Sequence, residues 1–490
     1  MNEQRYSLSK VLSRTDVLAL AFGTMIGWGW VMLAGYWVAE AGIAGAILAF
    51  VLGTTMCILV GLTYAELTPA LPLAGGEMVF AYRGLGYKWG WVTAWAICLA
   101  YLGVAAWEGI AISTAINYLY PLPETGYLWT VAGYDVHLSW AIVGIVFAIA
   151  LHYLNYVGTK PSAIFQIMAT TGLLLSGIAF FFGSVSFGNT AYMVPVFTGG
   201  AGVISVLLMA PAMFVGFDVI PQSAEEMKIP LNQIAGILVI SIVMAAGWYI
   251  IMIVGISMAA PQAVREAASV PVADAMTYAY GSPLFGKMLI LGAMCGILSS
   301  WNGFIVGGTR VLFAMGRAKM LPQIFGSLHP IYKTPTAAIL LSGGICCLAP
   351  FLGRNALVWF VNASAFGTVV AYFMVSISFM MIRKKEPNLE RPFLIKKGKL
   401  MGILAVITSG LFITLYLPIG PGSLAWPHEW MMIFGWALIG FVLALWAKRS
   451  YPDVSDQDRE YLIFGEKYAR ASLNQEGAVL QAAEREAVSG

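Results

Sequence analysis

Glu108 has the strongest capacity for acid–base chemistry in this sequence, because it lies in the middle of an apolar stretch between Trp107 and Gly109. A carboxyl group at the centre of a bilayer costs at least about 2.5 kcal/mol on insertion scales, so it must be protonated, paired or in contact with water. We therefore predict that Glu108 binds a proton or the amine of a solute. The alternative is a protonated glutamic acid that hydrogen-bonds to a neighbouring helix for structural reasons only.

Glycines interrupt another apolar stretch, at residues 23–30, where a membrane helix is expected. Glycine is a poor helix former, and backbone leaves helical geometry at membrane depth only where it is buried in protein or lines a cavity. The alternative is that these glycines only allow close helix packing. We favour a broken helix whose backbone binds a solute. The predicted binding residues are Gly23, Thr24, Gly27, Trp28 and Gly29.

A second interruption falls at residues 211–221, which contain Gly216 between two prolines. The ends of half-helices expose N–H groups beside a positive dipole end and carbonyl groups beside a negative one, so two breaks together suit a zwitterion. We predict that Phe214, Gly216 and Phe217 contribute to the site, with Phe217 as a lid over the solute. Ordinary packing of the two phenylalanines is the alternative.

Aromatic residues near the two interruptions allow a different site. An enclosure of aromatic faces around a desolvated ammonium group is worth up to about 2 kcal/mol. Such an enclosure favours an amine or organocation over an amino acid. Trp30 is expected to face lipid or a neighbouring helix instead. The residues concerned are Trp28, Trp30, Phe214 and Phe217.

Charged residues near the ends of the apolar stretches predict a gate. Asp218 follows the second interruption, where its carboxylate can accept hydrogen bonds from free N–H groups or an arginine. Arg310 lies near the end of its apolar stretch and can extend toward water or pair with Glu66 or Asp218. We predict that these three residues form a cytoplasmic gate. A purely anchoring role for Arg310 is the alternative.

The composition places these residues in a membrane protein. Of 490 residues 59% are hydrophobic and only 10% are charged, against roughly 25% charged in soluble domains. Apolar segments of at least about 18 residues give about twelve spans. The predicted spans are 15–39, 43–67, 89–119, 138–156, 163–187, 202–222, 234–259, 284–315, 336–351, 356–381, 400–417 and 430–447.

The distribution of lysine and arginine predicts the orientation of the chain. Alternate loops are rich in basic residues, which favour the cytoplasmic side, so both termini are expected inside a plasma membrane, most simply a bacterial inner membrane. The acidic tail 448–490, with a helix expected at 475–487, is predicted to be solvated, including Asp453, Asp456, Asp458 and Glu460. The expected partners are a small solute and the lipid bilayer but no nucleic acid, and no oligomeric state is predicted.

The interruptions fall in the first and sixth predicted spans, which predicts an all-α protein built from two inverted five-helix repeats. The predicted parts are an N-terminus at 1–14, a first repeat at 15–187, a second repeat at 202–381, two further helices at 400–447 and the tail. An odd number of helices in each repeat inverts the second repeat relative to the first. The two breaks are then expected to meet near the bilayer midplane.

Several motifs resemble those of the amino acid-polyamine-organocation (APC) superfamily of secondary transporters, which has the LeuT-type fold. The first interruption is similar to the Gly-x-Gly break of that family. The other motifs, in order from residue 72 to residue 335, are Pro72-Leu-Ala-Gly75-Gly76-Glu77, Gly216-Phe217-Asp218 with Ala224-Glu225-Glu226 and Pro230, and Arg310 to Arg317 with Leu321-Pro322 and Lys333-Thr334-Pro335. Their order makes the resemblance specific. It implies a transporter in which Asp218 has a gating or structural role.

Two departures from the family pattern bear on function. The family usually has a small residue, often serine, between the glycines of the first break, whereas Trp28 stands here and is expected to occupy or cap the pocket. Some proton-coupled members have a lysine in helix five, which is absent here, although Thr170 and Thr171 are suited to assist. Ser299 and Ser300 resemble part of the sodium site of sodium-coupled relatives, although membrane serines more often bond their own backbone.

We therefore expect a secondary transporter of an amino acid or related amine that works by alternating access and couples to protons through Glu108. An exchanger or a sodium-coupled symporter is the alternative, and a nutrient sensor that signals through its tail is an alternative of another class. No enzyme activity, cofactor or metal is expected, since histidines, cysteines and acids form no catalytic cluster. A proton is favoured over sodium as the coupling ion.

Overall fold

The computed structural model describes residues 8–469, which fold into long α-helices and one short hairpin. In chain order the helices are α1 (Arg14–Met25), α2 (Gly29–Ala70), α3 (Gly76–Leu85), α4 (Tyr87–Leu119), α5 (Leu138–Val157), α6 (Thr159–Phe187), α7 (Gly200–Phe214), α8 (Val219–Gln222), α9 (Leu231–Ala259), α10 (Gln262–Ala267), α11 (Pro271–Tyr280), α12 (Pro283–Arg317), α13 (Thr336–Leu348), α14 (Leu357–Lys385), α15 (Gly398–Tyr416), α16 (His428–Ser450) and α17 (Asp456–Tyr468). Strands β1 (Tyr127–Val131) and β2 (Tyr134–His137) pair antiparallel.

The helices confirm an all-α membrane protein with about twelve spans. In residues 8–469, 10 helical segments are long and apolar enough to cross a bilayer, and Thr336–Leu352 is a shorter apolar segment. Helix α2 supplies parts of two spans, because Gly42 has φ 72° and ψ 168° and interrupts the helix between them. The order of the spans agrees with the prediction. The division into two repeats remains a prediction.

Two spans are interrupted midway. Residues 26–28 separate α1 from α2 and form the first break, and residues 215–218 separate α7 from α8 and form the second break. At Gly216 φ is +133°, and a Cβ atom there would lie 2.8 Å from the Met25 backbone nitrogen. Only glycine tolerates both that torsion and that contact. The two breaks therefore touch each other in the middle of the protein.

The protein has two distinct faces. The terminal face carries the segment before α1, where Leu12 forms a backbone bridge with Met227, and the tail helix α17. Helix α4 runs 33 residues from this face to the opposite one, a length of about 50 Å. The opposite or hairpin face carries β1 and β2, where the Trp129 Nε1–H donates to the Phe351 carbonyl at 2.8 Å.

Helices α15 and α16 form part of the outer surface of the bundle. Large apolar side chains are exposed there, including Leu411, Phe434, Leu438 and Phe441. An exposed surface of this kind is typical of contact with lipid, whose hydrocarbon is as apolar as the side chains.

The tail differs from the prediction of a solvated segment. Helix α17 packs on the terminal face, and the Arg83 guanidinium donates to Glu460 Oε1 at 3.1 Å. Glu460 is only 4% exposed, so the prediction that it is solvated was wrong. The basic partner lies in α3, far away in sequence, and for that reason the local acidic pattern did not reveal it. The helix predicted at 475–487 lies outside the described residues.

Candidate solute-binding site

A cavity of about 470 Å³ leads from the hairpin face to the two breaks. Its volume is within the range of roughly 300–1,000 Å³ that is typical of small-molecule sites. Arg354 and Asn355 lie at its outer end, and Trp28 of the first break and Met213 of α7, close to the second break, lie at its inner end. Most of its wall is indole, thioether and aliphatic, with Met32, Leu33, Trp107, Leu208, Met209, Ala212, Val358 and Val361 among the lining residues.

Glu108 lies directly against the first break. A Cβ atom added to Gly27 would be 2.6 Å from Glu108 Oε1 and 2.8 Å from Ser300 Oγ, so glycine is needed there to let the carboxyl group approach. Glu108 is 2% exposed, and its Oε2 atom has no hydrogen-bond partner within residues 8–469. The structure thus brings α4, α12 and the first break together around one carboxyl group.

The backbone of the first break offers donors. Within residues 8–469 the N–H groups of Gly27, Trp28 and Gly29 have no intramolecular hydrogen-bond partner, whereas the Ile26 N–H donates to the Phe22 carbonyl at 3.2 Å. These donors stand at the N-terminus of the long helix α2, where the helix dipole favours an anion. This arrangement can bind the carboxylate of a solute.

Tyr249 joins the two broken helices. Its hydroxyl lies 2.8 Å from the carbonyl oxygen of Met25, at the end of α1, and 2.9 Å from that of Met213, near the end of α7. These carbonyls are among those that a helix end leaves without an intrahelical donor. The sequence did not point to Tyr249, because a single tyrosine in the apolar run of α9 carries no distinguishing pattern.

Helices α6 and α12 hold the first half of the broken helix from the other side. The Ala19 carbonyl accepts hydrogen bonds from Gln166 Nε2 at 3.2 Å and Thr170 Oγ1 at 3.3 Å. The Ser299 hydroxyl donates to the Gly23 carbonyl at 3.1 Å. The part of α6 that contacts α1 therefore offers neutral donors, and residues 166–173 of this helix contain no lysine.

The remaining first-helix candidates contact protein more than cavity. The Thr24 hydroxyl donates to the Leu20 carbonyl at 2.5 Å, and the side chain packs against Gly303 and Gly216. Gly29 lies against the sulfur of Met213, since a Cβ atom there would be 2.8 Å from Met213 Sδ. Both residues thus fix how closely the helices approach, next to the cavity.

The four aromatic residues of the predicted enclosure have different neighbours, and of the four only Trp28 lines the cavity. Trp30 packs edge-on against Trp248 at 5.3 Å, as expected for a residue that faces a neighbouring helix. Phe214 and Phe217 contact separate groups. Phe214 packs against Tyr249 and Phe50, whereas Phe217 packs against Tyr64 and Tyr372. The structure therefore does not bring the four rings together around one ammonium position.

Arg310 has a different partner from the two that were predicted. Its Nε–H donates to Glu226 Oε2 at 2.8 Å, and both side chains are about 1% exposed. Glu66 instead pairs with Arg383 and Arg391, and the Asp218 carboxylate accepts the Gly216 N–H at 2.7 Å. The predicted pairing was wrong because the chain turns after α8 and places Glu226 next to Arg310 of α12.

The ion pairs lie together on the terminal face. Arg317 pairs with Glu225 at 3.0 Å, next to the Arg310 pair, and Arg83 pairs with Glu386 at 2.7 Å. They connect α3, α12, α14 and the turn after α8. These buried ion pairs close the terminal face. The cavity opens toward the hairpin face, where Arg354 and Asn355 line it.

Broken helices that meet beside a solute-sized cavity in a membrane bundle are typical of secondary transporters. The chain belongs to the amino acid permease family, because the model of the family described as amino acid permease matches residues 12–442. This is a family of transporters, not of enzymes.

Individual relatives are similar over most of the chain. The branched-chain amino acid permease BcaP of Bacillus subtilis (strain 168) is 28% identical over 451 residues, covering 89% of this chain and 92% of that protein. The methylthioribose transporter of the same organism is 25% identical over 448 residues, with coverages of 89% and 92%. Its aspartate-proton symporter is 26% identical over 435 residues, with coverages of 83% and 79%.

Proposed function

We propose that this protein transports a neutral amino acid with an apolar side chain by alternating access, and that Glu108 couples transport to protons. The contact between the Glu108 carboxyl group and Gly27 in the first break carries the proposal. A group that gains or loses a proton there changes the charge beside the solute. Binding of the proton and of the solute are then linked.

The lining of the cavity supports an apolar amino acid. The carboxylate of the solute would accept hydrogen bonds from the free N–H groups of the first break, and its ammonium group would face Glu108. Its side chain would extend between Trp28, Trp107 and Met213, which offer apolar surface. One relative is named a branched-chain amino acid permease, which is consistent with such a solute.

Two observations favour a proton over sodium as the coupling ion. The Ser299 hydroxyl already donates to the Gly23 carbonyl, a type of oxygen that a sodium ion would need as a ligand. The Ser300 hydroxyl lies beside the acidic Glu108. One relative is named an aspartate-proton symporter.

Uptake into proteoliposomes tests the proposal. Purified protein would be assayed with radiolabelled leucine, valine, glutamate, lysine and putrescine under an inward proton gradient, an inward sodium gradient, or internal unlabelled solute. We expect leucine or valine uptake that the proton gradient accelerates. Uptake accelerated by the sodium gradient alone would indicate a sodium-coupled symporter instead. Uptake that requires internal solute would indicate an exchanger.

Trp28→Ser is expected to broaden the range of transported solutes. Trp28 is 1% exposed and forms the inner end of the cavity, so its removal enlarges the space beside the first break. Phenylalanine and tryptophan should then compete with leucine uptake at least about tenfold more effectively, a change of 1.4 kcal/mol. Competition assays in proteoliposomes measure this. Trp30→Ser, which changes an indole outside the cavity, is the control and should leave the solute range unaltered.

The docked tail supports a second candidate function, a sensor that signals through α17. Besides the Arg83–Glu460 bond, Phe464 packs against Tyr82 at 6.0 Å. Removing residues 451–490 is expected to change the transport rate less than about twofold if the protein is primarily a transporter, because α17 packs on the terminal face, away from the cavity. Uptake by the truncated protein in proteoliposomes measures this. Retained solute binding without any flux in the full-length protein would favour the sensor.

A further inference from the structure

Two buried acids lie on the terminal-face side of the cavity, apart from Glu108. Glu77, in α3 between two spans, and Asp218, in the second break, are both completely buried. We call these two residues the carboxyl pair. Helix α8 supplies Gln222, whose Nε2–H donates to Glu77 Oε2, and the Gly216 N–H donates to Asp218 Oδ1 at 2.7 Å. The pair is separate from Glu108, which contacts the first break.

Oxygen atoms of this cluster lack partners. Within residues 8–469, Glu77 Oε1, Asp218 Oδ2 and Gln222 Oε1 have no hydrogen bond although they are buried. Three tyrosine hydroxyls from three surrounding helices also lack a hydrogen bond of good geometry in this part of the chain, but they face the two acids, Tyr64 toward Glu77, and Tyr101 and Tyr372 toward Asp218. Each phenol hydroxyl can donate a hydrogen bond to a carboxyl oxygen but carries no positive charge, so these neighbours offer the two acids neutral donors only.

No basic side chain neutralises the carboxyl pair in the described part of the chain. The nearby arginines are engaged elsewhere, Arg310 with Glu226 and Arg317 with Glu225. The titratable groups that face the pair are neutral phenols and thiols: Tyr64 and Cys57 from α2, Tyr101 and Cys98 from α4, and Tyr372 from α14. Two ionised carboxylates in such surroundings would be very costly, because like charges close together in a buried site cannot both be ionised.

We propose that Glu77 and Asp218 share one proton and form a second proton-binding site of the transporter. The inference rests on the proton coupling proposed above and extends it to the terminal face. Burial, and secondarily the nearby Asp218, raises the pKa of Glu77 well above its usual range, in agreement with a protonated Glu77. Asp218, which accepts the Gly216 N–H, carries the negative charge.

The location of the pair links its proton to opening of the terminal face. Glu77 is held in α3 and Gln222 in α8, and their hydrogen bond joins these two helices. When the helices separate, water reaches the cluster. The Glu77 O–H bond then breaks, its proton passes to water, and a hydrated carboxylate remains. Proton release consequently accompanies opening of the terminal face.

Infrared difference spectroscopy tests the proposal without a transport assay. The C=O stretch of protonated carboxyl groups would be followed during a pH titration of the full-length protein in lipid. We expect the spectrum of Glu108→Gln to contain a titrating band, distinct from any band of the buried Glu429, that disappears in the Glu108→Gln/Glu77→Gln double variant. Asp218→Asn, a second variant that preserves shape, should move the titration of this band to lower pH. The proposal is overturned if the band persists in the double variant, or if sodium or potassium rather than pH controls it.

The pH dependence of stability gives an independent result. Because the pKa of Glu77 is raised in the folded protein, the folded state holds a proton that the unfolded state has already released. The free energy of unfolding therefore falls as the pH rises from the pKa of Glu77 in the unfolded state to its pKa in the folded state. The melting temperature of the wild type should therefore fall over this range more steeply than that of Glu77→Gln. Equal slopes would contradict a proton on Glu77.

Transport measurements then distinguish the second site from the first. In proteoliposomes, Glu77→Gln is expected to preserve solute exchange but to weaken the acceleration of uptake by an inward proton gradient. Unchanged acceleration would contradict a role of the pair in coupling. If the wild type transports no tested solute, the proposed function fails, and the infrared and stability results still decide whether the pair holds a proton.

Discussion

Glu108→Gln is expected to abolish the acceleration of uptake by an inward proton gradient, whereas solute exchange continues with a higher KM because the amide offers the ammonium group of the solute no charge. Glutamine has nearly the same shape as protonated glutamic acid, so the contacts with Gly27 and Ser300 are kept. It cannot gain or lose a proton, so a pH gradient no longer biases the cycle. Gradient-driven uptake should fall at least about tenfold, to the rate without a gradient. Parallel assays of driven uptake and exchange in proteoliposomes measure the two rates.

A matched control is available in Glu429. This acid is also buried, at 2% exposure, but its carboxylate accepts hydrogen bonds from Asn362 Nδ2 at 2.6 Å and from the Ala425 N–H at 2.6 Å. Its hydrogen bonds are to Asn362 of α14, which also lines the cavity, and to the loop before α16, not to the first break. Glu429→Gln should therefore keep its response to the proton gradient. A Glu108→Gln protein that still responds fully to the gradient would remove Glu108 from the coupling mechanism.

The overall fold could be predicted because its signals are local. Long apolar segments mark the spans, and glycines or prolines within such a segment mark a break, since lipid gives free backbone groups no partner. Those rules located both breaks correctly. They gave no sign of the β1–β2 hairpin or of α17, whose stability depends on contacts with distant residues such as Phe351 and Arg83.

The site was predictable only in part, for a physical reason. An acid in an apolar run is unusual in itself, and Glu108 was therefore visible, whereas Tyr249 is an ordinary residue until its hydroxyl is seen to contact two helix ends. Ion pairs depend on geometry that the sequence does not contain. Arg310 and Glu226 are 84 positions apart, and sequence alone could not rank Glu226 above Glu66 or Asp218 as its partner.

Arg310→Met is expected to destabilise the folded protein by about 3–5 kcal/mol, because it leaves Glu226 buried without its counter-charge. Within residues 8–469, the one hydrogen bond to the Glu226 carboxylate that this substitution retains is from the Thr159 hydroxyl, at 2.7 Å. Reversible denaturation in mixed micelles, or the loss of melting temperature, measures the effect. Arg459→Met is the control and should cost less, because the pair with an Asp456 that is 88% exposed contributes about 0–1 kcal/mol and the other contacts of Arg459, with the Val454 carbonyl and the Tyr87 ring, leave no buried charge behind.

The double variant Arg310→Met/Glu226→Gln separates stability from gating. Removing both charges avoids the unpaired carboxylate and should recover most of the lost stability. The bond between α12 and the turn after α8 is still missing, so the terminal face should open more often than in the wild type. A cysteine introduced at Thr159, which donates to Glu226 in the wild type, should then react faster with a water-soluble maleimide than in an otherwise wild-type protein. A stable double variant with unchanged labelling would show that the pair stabilises the protein without closing the terminal face.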